Sequence, residues 1–254
     1  MRILAIHAHP DDIETLGAGT LALLAAAGHS IAIVTVTAGD CGSAEFSPQE
    51  TGEIRRREAA TAAAAMIGAD YRCGDVGDLS VFNDDATRRR VTELVRWSGS
   101  GLVITSAAAD YHPDHEATSQ LVRDACFAAS APNYRTGPAP PLAAIPHLYF
   151  MDPIGGRDRE GAAVTPDFGA DIGAANFATK RAMLAAHESQ ASWLLKQHGI
   201  SDPLASMEGW TRRRGKDFGV EFAEGFRQYR HQPYPRTPLL QELLGAALLT
   251  RVGS

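Results

Sequence analysis

Short apolar runs rich in β-branched residues alternate with helix-length segments along the first half of the chain, and this rhythm limits the fold more than any other feature. "RILAIHA" (2–8), "SIAIVTVTA" (30–38) and "GLVITSA" (101–107) are buried-strand patterns. Between and after them lie "TLGAGTLALLAAAGH" (15–29), "SPQETGEIRRREAATAAAAMIGA" (47–69), "DDATRRRVTELVRWSG" (84–99) and "HPDHEATSQLVRDACFAA" (112–129), each with helical character. Near-continuous apolar strands joined by helices make a mostly parallel sheet with helices on both faces, a Rossmann-like α/β fold. The helix from Ser47-Pro48 to Gly68 carries its own start and stop signals.

After Ser130 the rhythm changes. "APNYRTGPAPPLAAIP" is a proline-rich loop leading to a strand "HLYFMD" (147–152). "PIGGRDREGAAVTPDFG" (153–169) is expected to form loops at the rim of a site, and the rest to be a C-terminal helical elaboration. With no internal repeat and no linker, 254 residues are expected to form a single domain, with a core over about 1–130 and substrate loops and helices over about 131–254.

A formal charge of −6 and a pI near 5.8 argue against nucleic acid as a partner. No run of about 18 uninterrupted apolar residues is present, so membrane insertion is not expected. Three cysteines, Cys41, Cys73 and Cys126, without C-x-x-C spacing fit a reducing, cytoplasmic setting, and no signal peptide is visible. These bounds leave a homo-oligomer open.

Ligands of such sheets bind beyond the carboxyl ends of the strands. Two segments fall there: "HAHPDDIE" after the first strand and "DYHPDH" after "GLVITSA". Capping of the next helix would account for one carboxylate, but not for a histidine, two aspartates and a glutamate between His9 and Glu14. His9 and Asp12, three residues apart on a proline-stiffened turn, can share one metal ion, with a third ligand from His112 or His115. Gly17-Ala18-Gly19-Thr20-Leu21-Ala22 matches G-x-G-x-x-A, the basis of an alternative non-catalytic nucleotide- or sugar-binding module. The acidic turn ahead of it would repel a pyrophosphate, so close helix packing is the better use of those small residues.

At these residues the sequence resembles the PIG-L/LmbE-like zinc-dependent N-deacetylases, which act on N-acetylglucosaminyl lipids and thiols and on diacetylchitobiose. The motif A-H-P-D-D-x-E stands at Ala8–Glu14 and H-P-D-H at His112–His115, and the match extends to R-x-x-E at Arg55–Glu58 and H-x-S-Q at His187–Gln190. The resemblance implies an LmbE-like fold and Zn2+, or another divalent metal, held by His9, Asp12 and His115. It implies Asp11 as general base, His112 as stabiliser of the oxyanion, Asp114 as the carboxylate that orients and charges His112, and Arg55 as a substrate contact. A tyrosine that one branch carries two residues before H-P-D-H is Asp110 here, with Tyr111 next to His112.

The chemistry suits these residue types. A metal lowers the pKa of its water toward about 7 and polarises a carbonyl; an adjacent carboxylate can move the proton. The expected function is removal of an N-acetyl or other acyl group from an amino-sugar conjugate, a small-molecule substrate. The alternative within the class is an amidase cleaving a larger amide of a sugar-thiol conjugate. Glu14 and His187 are expected to support rather than bind the metal, His7 to lie deeper in the sheet, and Trp193 and Trp210 to stand nearest the mouth.

Overall fold

A computed structural model describes residues 1–199 and 201–250. Five parallel strands form one half of a continuous sheet: β1 (Arg2–His7), β2 (Ser30–Thr37), β3 (Asp70–Val76), β4 (Leu102–Thr105) and β5 (His147–Met151). Three further strands, β6 (Phe168–Asp171), β7 (Ala223–Gln228) and β8 (Leu248–Leu249), extend it in antiparallel sense. The order across the sheet is β3-β2-β1-β4-β5-β7-β6-β8. The chain therefore has a mixed α/β fold whose leading half is the expected doubly wound arrangement.

Successive residues of β1 face opposite ways. Ile3 and Ala5 enter one core with Leu21 and Leu24 of α2 (Ala18–Ala26), Ala62 and Ala63 of α3 (Pro48–Ile67), and Met183 of α6 (Gly173–Ala185). Leu4 and Ile6 enter the other, against Val91 and Val95 of α4 (Asp85–Ser98) and Leu121 and Val122 of α5 (Pro113–Ala129). Ile3, Leu4 and Ile6 are fully buried, each stabilising the fold by about 1.5–3 kcal/mol.

The remaining helices are α1 (Asp12–Leu16), α7 (Gln190–His198), α8 (Pro203–Phe218) and α9 (Leu239–Leu244). Where one helix was expected from Thr15, the chain makes two: Gly17 ends α1 and precedes α2. The expected helical elaboration is likewise divided, with a break between α6 and α7. The tail is more than helical elaboration, since β6, β7 and β8 complete the sheet. None of the described helices is long and apolar enough to cross a membrane.

α3 shows how local signals fix a functional helix. Ser47 accepts from the Glu50 amide while the Glu50 side chain accepts from the Ser47 amide, Pro48 opens the helix, and Gly68 closes it at φ 63°. This holds Arg55 and Glu58 in place, one turn apart.

Candidate metal centre

The turns after β1, β2, β3 and β4 meet at the carboxyl edge of the parallel strands and line a cleft of about 150 Å³. His9 and Asp12 come from the turn after β1, Cys41 and Gly42 from the β2 turn, Asp78 and Leu79 from the β3 turn, and Tyr111, His112 and His115 from the start of α5.

Three donors face one another at its base. His9 Nδ1 lies 3.3 Å from Asp12 Oδ2 and 3.3 Å from His115 Nε2, and His115 Nε2 lies 3.3 Å from Asp12 Oδ1. Ligands bonded at zinc-like lengths in a tetrahedral site stand about 3.3 Å apart, so the two imidazoles and the carboxylate fit one cation. His112 brings a further nitrogen within reach of His9 and His115. Several carboxylates surround this base and one arginine, Arg55, a charge balance that suits a divalent ion.

Each imidazole is oriented from behind. His9 Nε2 lies 3.1 Å from Asp78 Oδ1 and 3.5 Å from Asp114 Oδ2. His115 Nδ1 lies 3.3 Å from Asp110 Oδ2, which also accepts from the Ile154 amide at 3.1 Å. Carboxylates behind metal-binding histidines fix the ring and raise its basicity. Burial alone would lower both histidines. For His9 the carboxylates of Asp114, Asp12 and Asp78 overcome it, and for His115 Asp12 and Asp110 do so, lifting that residue to about 9. Burial would raise Asp12, but His115 and His7 hold it well below the carboxylate range. His7, fully buried as expected, meets Asp12 Oδ2 at 2.7 Å.

Asp11 is not part of the triangle. Burial pushes its carboxyl up to about 6, opposed by Arg55 and reinforced by Asp12. Arg55 is buried and donates to Pro10 O (2.6 Å), Gly39 O (3.0 Å) and Asp11 Oδ2 (3.3 Å). It lines the cleft, yet much of its guanidinium braces the acidic turn.

The expected Asp114–His112 pair does not form. Asp114 Oδ2 instead accepts from the Leu79 amide at 2.7 Å and faces His9. His112 Nδ1 accepts from the Asp114 amide at 3.2 Å, which leaves the ring proton on Nε2. Burial, His9 and His115 together lower the His112 imidazole to about 4, where the resemblance implied a charged ring.

Sequence reasoning did not commit to Asp78 or Asp110, which stand behind the two histidines. Their signal was position at strand ends, too weak without knowing which ring each faces. Glu14 Oε1 lies 3.4 Å from His187 Nε2, behind the turn. Trp193 lines the cleft; Trp210 lines a different one, with Asp152 and Arg214. The amides of Gly19 and Thr20, which a phosphate would need, donate to Glu224 at 3.0 and 2.7 Å. Glu224 is itself paired with Lys180 at 2.6 Å.

A family profile described as GlcNAc-PI de-N-acetylase, PIG-L, matches residues 4–126, which hold both histidine-aspartate turns. This stretch, just under half of the chain, carries the match to the PIG-L family. Among relatives of this chain, the 4-oxalmesaconate hydratase of Pseudomonas putida is 28% identical over 158 residues, 59% of this chain and 60% of the relative. A 1D-myo-inositol 2-acetamido-2-deoxy-alpha-D-glucopyranoside deacetylase of Saccharopolyspora erythraea is 27% identical over 176 residues, 58% of this chain and 64% of the relative. The alignments thus span less than two thirds of either relative. The N,N'-diacetylchitobiose deacetylase from Pyrococcus horikoshii superposes with a TM-score of 0.73 over 93% of this chain and 88% of that one. Its 22% identity makes this a likeness of fold.

Proposed function

We propose that this chain is a divalent-metal-dependent hydrolase, with Zn2+ as the fitting ion, that removes an acetyl or related acyl group from an amino-sugar conjugate. The observation that carries the reading is the 3.3 Å triangle of His9, Asp12 and His115 donors with the Asp11 carboxylate, held by Arg55, beside it. The deacetylase name of the Saccharopolyspora relative supports it.

In this reading His9, Asp12 and His115 hold the ion, and Asp78, Asp114 and Asp110 keep the two rings aimed. When bound, the ion supplies a Lewis acid and an acidified water. Asp11 accepts the water proton as the C–O bond forms and returns it to the nitrogen as the C–N bond breaks, giving a carboxylate and a free amine. His112 donates from Nε2–H to the carbonyl oxygen as it becomes negative, a role that a neutral imidazole can fill. Arg55 keeps Asp11 in place and forms part of the wall against which the sugar or acyl group lies.

A second reading follows from the Pseudomonas relative: hydration of a carbon–carbon double bond, with Asp11 moving the water proton. The test is a panel of N-acetylated sugars and glycosides, assayed for acetate and free amine with about one zinc per chain. Acetate release that is lost in Asp11→Asn, with metal retained, supports the proposal. No release from any amide, alongside hydration of an unsaturated carboxylate, selects the second reading.

A further inference from the structure

The early motif R-x-x-E and the much later H-x-S-Q meet in space, and their meeting has no part in the chemistry above. Arg55 and Glu58 lie one turn apart on α3. Arg55 reaches the acidic turn; Glu58 reaches the residue that opens α7. Glu58 Oε1 accepts from the Ser189 amide at 2.9 Å and Oε2 from the Ser189 hydroxyl at 2.7 Å. The next residue, Gln190, is buried, lines the cleft, and donates through Nε2 to Gly42 O at 3.3 Å. A side chain at Gly42 would strike Arg55 at 2.7 Å and Gln190 at 3.1 Å, so glycine allows the approach.

Beyond Gln190, Trp193 and Leu194 form the outer wall of the cleft. α7 packs broadly on no other helix or strand among the described residues. Leu195 is exposed, and Lys196 meets Glu45 at 3.3 Å across the surface. Among the described residues, the contacts that place the helix at its start are polar. The strongest of these is the two-point hydrogen bond to a carboxylate, which constrains direction as well as distance.

We infer that Glu58 is a positioning residue for substrate binding: through Ser189 it sets α7 so that Gln190, Trp193 and Leu194 wall the cleft over the metal triangle. The substrate consequence rests on the hydrolase reading, while the placement of α7 does not. Because this contact lies outside the triangle and outside both cores, its loss alters substrate capture rather than metal binding or folding.

The test has two arms. In a Trp97→Phe/Trp210→Phe background, Trp193 is the remaining tryptophan, and its quenching by acrylamide reports how firmly α7 is held. Glu58→Ala is expected to raise quenching, Ser189→Ala to raise it less, and Glu58→Gln, which keeps a carbonyl acceptor, to restore most of the protection. With zinc-loaded protein and an N-acetylglucosaminide that the parent turns over, Glu58→Ala is expected to raise KM about tenfold, as for loss of a hydrogen bond to a charged group. The rate constant kcat and zinc content are expected to stay at parental values. Unchanged quenching in both Glu58→Ala and Ser189→Ala overturns the inference, as does a fall in kcat with KM unmoved. If the parent releases no acetate from any N-acetylated sugar, the hydrolase reading fails, and quenching alone still decides the role of Glu58.

Discussion

Asp11 adopts φ 99°, a region that side chains other than glycine, asparagine and aspartate rarely visit. The turn thus holds its first aspartate in a conformation that asparagine can share and alanine cannot share cheaply. Asp11→Asn is expected to keep metal and fold while lowering hydrolysis by about 10²–10⁴, the range for losing a positioned base; metal analysis beside an acetate assay checks both. Asp110 gives a complementary test, because it stands behind His115 rather than in the cleft. Asp110→Ala is expected to weaken zinc binding by about 10–100-fold in a chelator competition, and unchanged affinity would contradict the orienting role. His9, Asp12 and His115 were legible because each sits in a compact motif at a strand end. Asp78 and Asp110 were not, because what distinguishes them is which imidazole nitrogen they face, a property of the assembled turns. The Asp114–His112 pairing fails for the same reason: the Asp114 carboxylate turns toward His9 and Leu79 instead.

At the scale of elements, α3 links the acidic turn to the wall of the cleft and depends on its capping box. Ser47→Ala is expected to cost about 1 kcal/mol, read as a shift of the denaturant midpoint. The glycines at the start of α2 serve packing and capping. A Cβ at Gly19 would stand 2.5 Å from Ile172 and 3.1 Å from Glu224, so Gly19→Ala is expected to destabilise by about 1–3 kcal/mol. Four of the five parallel strands were legible because their apolar runs are bounded by well-signalled helices; β3, Asp70–Val76, carries no such run and was not read. Strands β6 and β7 were not legible either. "FGAD" is four residues long, and "AEGFRQ" carries Glu224, whose burial is offset by Lys180 and two helix amides. A strand with a buried charge and a glycine has no apolar run to announce it.

For the whole molecule, the sheet brings the turn after β1 against the start of α5, about a hundred residues later, and one cation would tie them together. Binding to the folded chain raises its stability by mass action, so zinc is expected to raise the melting temperature and a chelator to lower it. Protons compete for His9 Nδ1 and His115 Nε2, so zinc affinity is expected to fall as the pH is lowered below about 9, measurable by calorimetric titration. The most direct test of the proposed activity follows acetate and free amine from an N-acetylglucosaminide through removal and return of zinc. Hydrolysis is expected to vanish with the chelator, return with about one equivalent of zinc, and stay lowered by about 10²–10⁴ in Asp11→Asn at equal zinc content. Hydrolysis that persists in the chelated protein, or that runs at the parental rate in zinc-loaded Asp11→Asn, would contradict the reading.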